Sequence, residues 1–308
     1  MADFDTLRRF VFERYPFRGQ IVHLGPAWQA MMEHHDYPPQ VRDTLGEAVV
    51  STALLAATLK FNGLLSLQLR GEGPMHLMLV ECTEGLAMRA VARFKNPPDT
   101  RDLRVLSGDG TLTVTIENED VVKRYQGIVP LSGASMSDCL REYFESSEQL
   151  PTRLWLHADA RSASGLLLQR LPVTSKPVGV TESGAGVMPE EEIDDAWHRV
   201  QLVASTVTGE ELAELDDRKL LRRLFAEDDV RMFEAAPVFF RCRCSRERVE
   251  NMLRALGQSE VDSIIDEFGQ VEVRCEFCGR AYRLDAVDAA ALFTLPGRNS
   301  PGAGTAVH

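Results

Sequence analysis

Long apolar runs are missing from this 308-residue chain. No stretch approaches the roughly 18 consecutive apolar residues that a membrane span requires, so no membrane partner is expected. The opening, MADFDTLRRFVFERYPFRG, carries acids where a secretory leader needs bases, and no apolar segment precedes a small-residue cleavage site. A basic surface is also missing: the net charge is -12 and no region nets positive, which argues against a nucleic-acid partner. Neither a GxxxxGKS/T phosphate loop nor a G-x-S-x-G nucleophile elbow occurs, in keeping with an activity that uses no ATP and is not enzymatic. Cysteine is scarce, with six in the chain. The expected compartment is the cytosol, where thiols stay reduced and clustered cysteines indicate a metal or redox site rather than structural disulfides.

What is present is an ordinary globular composition, 44% hydrophobic and 26% charged, long enough for two domains with real cores. Charge is unevenly placed. Residues 181–236 hold 15 acids against 6 bases, whereas 1–180 hold 21 against 19 and 237–308 hold 10 against 9. Between Arg18 and Pro172, short apolar runs (LLSLQL at 64–69, MHLMLV at 75–80, LTVTI at 112–116) are separated by the turn signals GEGP, SGDG and LSG, which predicts antiparallel strands. Pro38-Pro39 before the alanine-rich stretch Val41 to Leu59 predicts a helix packed on the sheet, and a second helix is expected after Ser135. The fold class is therefore α+β, with a mixed sheet-and-helix core domain at 1–180.

The acidic segment 181–236 is expected to be a helical, metastable linker. It opens on the glycine-containing joint ESGAG at 182–186, Pro189 starts a helix with acids in its first turn, and further helical patches fall near 209–215 and 217–226. Its apolar residues (Ile193, Trp197, Val200, Leu212, Leu220, Leu224) recur at helical spacing, but helices this short are marginal in water without a surface to dock on. Residues 237–295 form a small C-terminal α+β domain: Ser245 caps one helix, Ser259 with Asp262 three residues on starts a second, and VEVRCEFCGRAYRL makes two strands about a turn. A domain of this size is marginal for an unaided core. A tail at 296–308, rich in Gly, Ser and Pro, is expected to be mobile.

The staple is the cysteine set. Cys242-x-Cys244 and Cys275-x-x-Cys278, 30 residues apart, have the spacing of a zinc ion held by four thiolates. Gly279 follows the second pair as in zinc knuckles, whose turn N–H groups point at the sulfurs. The four thiolates give one Zn²⁺ a formal charge of -2, and Arg241, Arg243, Arg246, Arg248, Arg274, Arg280 and Arg283 lie close enough in sequence to keep them ionised and open to oxidants. Cys82 and Cys139 are isolated in apolar surroundings and are expected to be buried fillers, while the histidines show no ligand spacing. Two other uses of the cysteines remain open at this level: a zinc-ribbon nucleic-acid binder, which needs a basic face, and a dithiol oxidoreductase, which needs the Cys-x-x-Cys at a strand-to-helix turn.

The segments HHDYPPQV (34–41), RYQGIVPL (124–131), YFESSEQLPTRL (143–154), CRCSRER (242–248), EVDSIID (260–266) and CEFCG (275–279) resemble the redox-regulated heat-shock holdases, the 33 kDa chaperonin or HslO family. The resemblance runs over nearly the whole chain and is weakest in the linker. It implies that Cys242, Cys244, Cys275 and Cys278 bind zinc when reduced and form the disulfides 242 with 244 and 275 with 278 when oxidised. It also implies that the unfolded linker then binds unfolding client proteins, and that a reduced monomer becomes an active dimer. Magnitudes agree with such a switch. A structural zinc site is worth on the order of 10 to 16 kcal/mol of folding free energy, against roughly 1.5 to 2 kcal/mol for each short-loop disulfide.

Overall fold

The computed structural model describes residues 3–118, 124–172 and 188–294. The joint at 182–186 and the tail at 296–308 lie outside the described residues. Contacts divide the chain into two compact units, Met1–Arg241 and Cys242–His308.

The first unit begins with strands β1 (Thr6–Phe12) and β2 (Phe17–Leu24), then helices α1 (Pro26–Met32) and α2 (Pro39–Thr58). Strands β3 (Gly63–Arg70), β4 (Met75–Thr83) and β5 (Ala87–Phe94) are followed by α3 (Leu103–Ser107), β6 (Thr111–Asn118) and β7 (Arg124–Pro130). Next come α4 (Met136–Tyr143), continued by a π-turn at Phe144–Glu148, then β8 (Thr152–Ala158) and β9 (Ala163–Arg170). Helices α5 (Glu190–Ala204), α6 (Gly209–Glu214) and α7 (Asp217–Leu224) and strands β10 (Val230–Pro237) and β11 (Phe239–Phe240) complete the unit. The strands form two sheets, ordered β10-β1-β2-β9-β8 and β11-β5-β4-β3-β6-β7. All pairings are antiparallel except the two-residue β11–β5 contact.

Helix α2 lies between the sheets, against β2, β8 and β9 of one and β3, β4 and β5 of the other. That placement explains its sequence: an element covered on both sides needs apolar or small residues all round, hence LGEAVVSTALLAA, and Pro39 starts it where no N–H partner is lost. Strand β9 is likewise buried on both faces. Leu167 joins the cluster around α2, while Leu166 and Leu168 point the other way, so the run GLLLQ shows no polar alternation.

That other face is covered by α5, α6 and α7. Ile193, Trp197, Val200, Leu212, Leu220 and Leu224 lie on Phe10, Phe12, Phe17, Ile21, Leu166 and Leu168. This is the docking surface such short helices require. Each start is also fixed locally: three glutamates occupy the first turn of α5, Thr208 and Glu211 form a reciprocal capping box on α6, and Asp216 accepts from the Lys219 N–H on α7. Strand β10 departs from the helical pattern expected of the acidic segment. It forms the sheet edge beside β1, where its exposed residues lack the alternation that would reveal it.

The second unit contains α8 (Arg246–Leu256), α9 (Gln258–Phe268), the hairpin β12 (Val271–Arg274) and β13 (Ala281–Leu284), and α10 (Ala286–Thr294). Ser245 caps α8 as expected, accepting from the Arg248 N–H at 3.2 Å. Ser259 does not cap α9. The helix starts at Gln258, two residues before a Ser259 cap would begin it, with Gly257 at φ +103° as its N-cap and no side-chain capping bond. Val249 and Leu253 take the inward row of α8, while Met252 and Leu256 stand half in solvent. Among the described residues the buried core is Val249, Leu253, Val261, Val271, Leu284, Ala289 and Leu292. Seven side chains, one of them alanine, make a small interior for a unit of this length.

Candidate metal centre

Two backbone segments present the four sulfurs. Cys242 and Cys244 sit in the extended stretch that leads to the Ser245 cap of α8, and Cys275 and Cys278 sit in the turn between β12 and β13. The turn is a knuckle. The Cys275 N–H donates to the Arg280 carbonyl at 2.9 Å and the Gly279 N–H to the Cys275 carbonyl at 2.8 Å, with Gly279 in the left-handed region at φ +66°. N–H groups point at sulfur as the sequence suggested: Cys242 accepts from Cys244, Cys275 from Phe277 and Cys278, and Cys278 from Arg280.

All four sulfurs lie within 4.8 Å of one another. Cys242 Sγ is 3.5 Å from Cys275 Sγ, and Cys244 Sγ is 3.5 Å from Cys278 Sγ. A tetrahedral ion with zinc–sulfur bonds of about 2.3 Å requires sulfurs about 3.8 Å apart, so the cluster has the size and donor set to hold a metal ion. Among the described residues, no other group of three or more cysteine, histidine or carboxylate donors converges in this way.

The electrostatics of the thiols favour a cation. Burial pushes the Cys242 thiol up, but donation from the Cys244 N–H and from neighbouring thiols outweighs it and brings it down to about 7. Burial pushes Cys278 up to about 12 and raises Cys275 as well, helped by the negative Cys242 beside them. One thiolate forms readily and opposes the next, a conflict that a divalent ion resolves. The arginines divide. Arg246 pairs with Glu250 and Asp288, and Arg274 and Arg283 share Glu272; the charge of Arg280 is felt by Cys244 and Cys278. Tyr282, which the sequence did not single out, donates its hydroxyl to Cys244 Sγ at 3.1 Å.

Cys82 and Cys139 are fully buried fillers in the first unit, their thiols pushed by burial up to about 12 and about 11. Of the histidines, His23 has a role not visible in the sequence. On β2, its Nε2 lies 3.1 Å from Asp217 Oδ1 in the first turn of α7, and Arg8 Nε on β1 donates to Asp217 Oδ2 at 2.5 Å. Arg8 also donates to the Phe233 carbonyl of β10 at 2.9 Å. This buried charge cluster fixes α7 and β10 to the sheet.

Comparison with known proteins places these features in a group. The family model described as Hsp33 protein matches residues 5–285. The 33 kDa chaperonin of Methylobacillus flagellatus is 42% identical over 300 residues, covering 96% of this chain and 98% of that one. That of Azotobacter vinelandii is 43% identical over 306 residues, covering 98% and 99%. Among solved structures, the 33 kDa chaperonin of Thermotoga maritima superposes with a TM-score of 0.77 at 20% identity, over 94% of this chain and 97% of that one, which establishes a shared fold.

Proposed function

The chain belongs to the Hsp33 protein family, and we propose that its chaperone activity is that of an ATP-independent holdase governed by the four-cysteine centre. The observation that carries this reading is the convergence of Cys242, Cys244, Cys275 and Cys278 in a unit where seven apolar side chains are buried among the described residues. Zinc, when bound by these four thiolates, supplies the cross-link between residues 242–244 and 275–278 that so small a core does not. It is the ion suited to a closed set of four sulfurs.

Oxidation acts on the ligands. Each disulfide, Cys242 with Cys244 and Cys275 with Cys278, forms by passing two electrons to an oxidant such as peroxide, and a sulfur in a disulfide no longer offers a thiolate to the metal. All four sulfurs are thiolates while they hold the ion, which is the form that peroxide attacks. Two local disulfides connect nothing across α8 and α9, so domain 237–295 unfolds. Segment 181–236 serves as the metastable linker between it and core domain 1–180. Undocking of α5–α7 bares Phe10, Phe12, Phe17, Ile21, Leu166 and Leu168 for unfolding clients. The segment's net negative charge, from 15 acids against 6 bases, keeps the open form in solution. The oxidised form dimerises, the reduced form is monomeric, and both reside in the cytosol.

The test is aggregation of a thermally unfolding model protein, followed by light scattering, with this chain added reduced or after peroxide at mild heat. The oxidised sample suppresses scattering and the reduced one does not. Peptide mapping of the active sample finds 242–244 and 275–278 linkages; crosswise 242–275 and 244–278 bonds would instead hold the unit closed and count against this reading.

A further inference from the structure

The seat of α5–α7 is charged as well as apolar, and its charges run in one sense. Arg14, in the turn between β1 and β2, lies 2.5 Å from Glu192 of α5. Arg170, at the end of β9, pairs with both Glu190 and Asp194 of the same helix. Arg8 holds Asp217 of α7. In all four contacts the sheet supplies the cation and the helices the carboxylate. The pair of opposite sense, Arg231 with Glu13, belongs to strand β10 rather than to a helix.

We propose that the face uncovered when α5–α7 leave selects client segments whose apolar side chains are flanked by carboxylates, the chemistry of the helices it has lost. This inference rests on the undocking described under Proposed function and adds the class of client. Six apolar side chains alone would accept any apolar segment. The arginines change that, because the side chains of Arg8 and Arg170 are only 20% and 16% exposed and lose their carboxylates on undocking. A segment that brings acids re-forms those pairs as its apolar residues cover the sheet. One that brings lysine or arginine sets like charge against them. The occupant is argued from charge complementarity and from continuity with a seat the chain already fills with its own helices.

The experiment uses the oxidised full-length chain and three labelled peptides, with binding read by fluorescence anisotropy. The first has the sequence of residues 188–205. The second carries Glu190→Gln, Glu192→Gln and Asp194→Asn, and the third carries lysine at those positions. The first peptide binds about tenfold more tightly than the second at low salt, the third binds weakest, and the spread narrows as salt screens the pairs. In a folded Arg14→Gln, Arg170→Gln chain the three affinities converge. Equal affinities for the three peptides, in a chain that still suppresses aggregation of a model protein, overturn the inference and leave the proposed function standing. Loss of both peptide binding and aggregation suppression contradicts the proposed function itself, and this inference with it.

Discussion

Six thiols in one chain occupy two kinds of surroundings, and the contrast can be measured. Cys82 and Cys139 are held protonated by apolar neighbours, whereas Cys242 is drawn down to about 7 by hydrogen bonds that outweigh its burial. After zinc is removed with a chelator under reducing conditions, the second unit opens, so alkylation should label Cys242, Cys244, Cys275 and Cys278 together and leave Cys82 and Cys139, buried in the first unit, for last. The rate of those four should climb through the ordinary thiol range of about 8.5. Protection of Cys278 as complete as that of Cys82 after zinc removal would contradict the need of this unit for a metal ion. At Asp217, burial raises the carboxyl, but hydrogen bonds from His23 and Arg8 outweigh it, so its folded-state value is lowered. A lowered carboxylate adds stability above the ordinary carboxylate range and loses it as pH falls through the folded value. Asp217→Ala, which leaves Arg8 and His23 facing each other without their carboxylate, is expected to cost about 3 kcal/mol at neutral pH in urea unfolding of the reduced protein. The four cysteines were legible because their spacing is local. The Arg8–Asp217 pair was not, since its partners stand 209 residues apart and neither belongs to a motif.

Elements were legible where their cause is local. Pro39 and the alanine-rich run announce α2, Ser135 and Ser245 announce α4 and α8, and the knuckle residues announce the β12–β13 hairpin. Elements defined by distant partners were not. Strand β1 is apolar on both faces, with Leu7 toward α2 and Phe10 and Phe12 toward the helices, so it shows no strand period. Strand β10 exists because β1 lies beside it. The α9 cap was misplaced because Gly257 both ends α8 and begins α9, which no side-chain motif signals. The layer α5–α7 carries the prediction at this scale. Trp197 is its largest side chain, packed 5.1 Å from the Phe17 ring centroid. Trp197→Ala should remove about 3 to 5 kcal/mol of packing and let the layer open while the cysteines are still reduced. The expected result is stronger binding of an apolar dye and partial suppression of aggregation, with zinc still bound in full. A variant as closed as the parent chain would show that this layer does not guard the sheet.

At the scale of the whole molecule, the division of labour follows from where stability is stored. The first unit has two sheets with a largely buried helix between them and a large apolar interior. Among the described residues the second has seven buried apolar side chains and four cysteines placed to hold a metal ion. A small chemical change at four sulfurs can therefore unfold one part of the chain and leave the other intact to receive clients. The most direct test follows zinc release, free thiols and apolar-dye binding together in one sample treated with peroxide at mild heat. The account predicts that one equivalent of zinc appears as four thiols disappear, and that dye binding rises with them. Full loss of zinc and thiols with no rise in dye binding would contradict it.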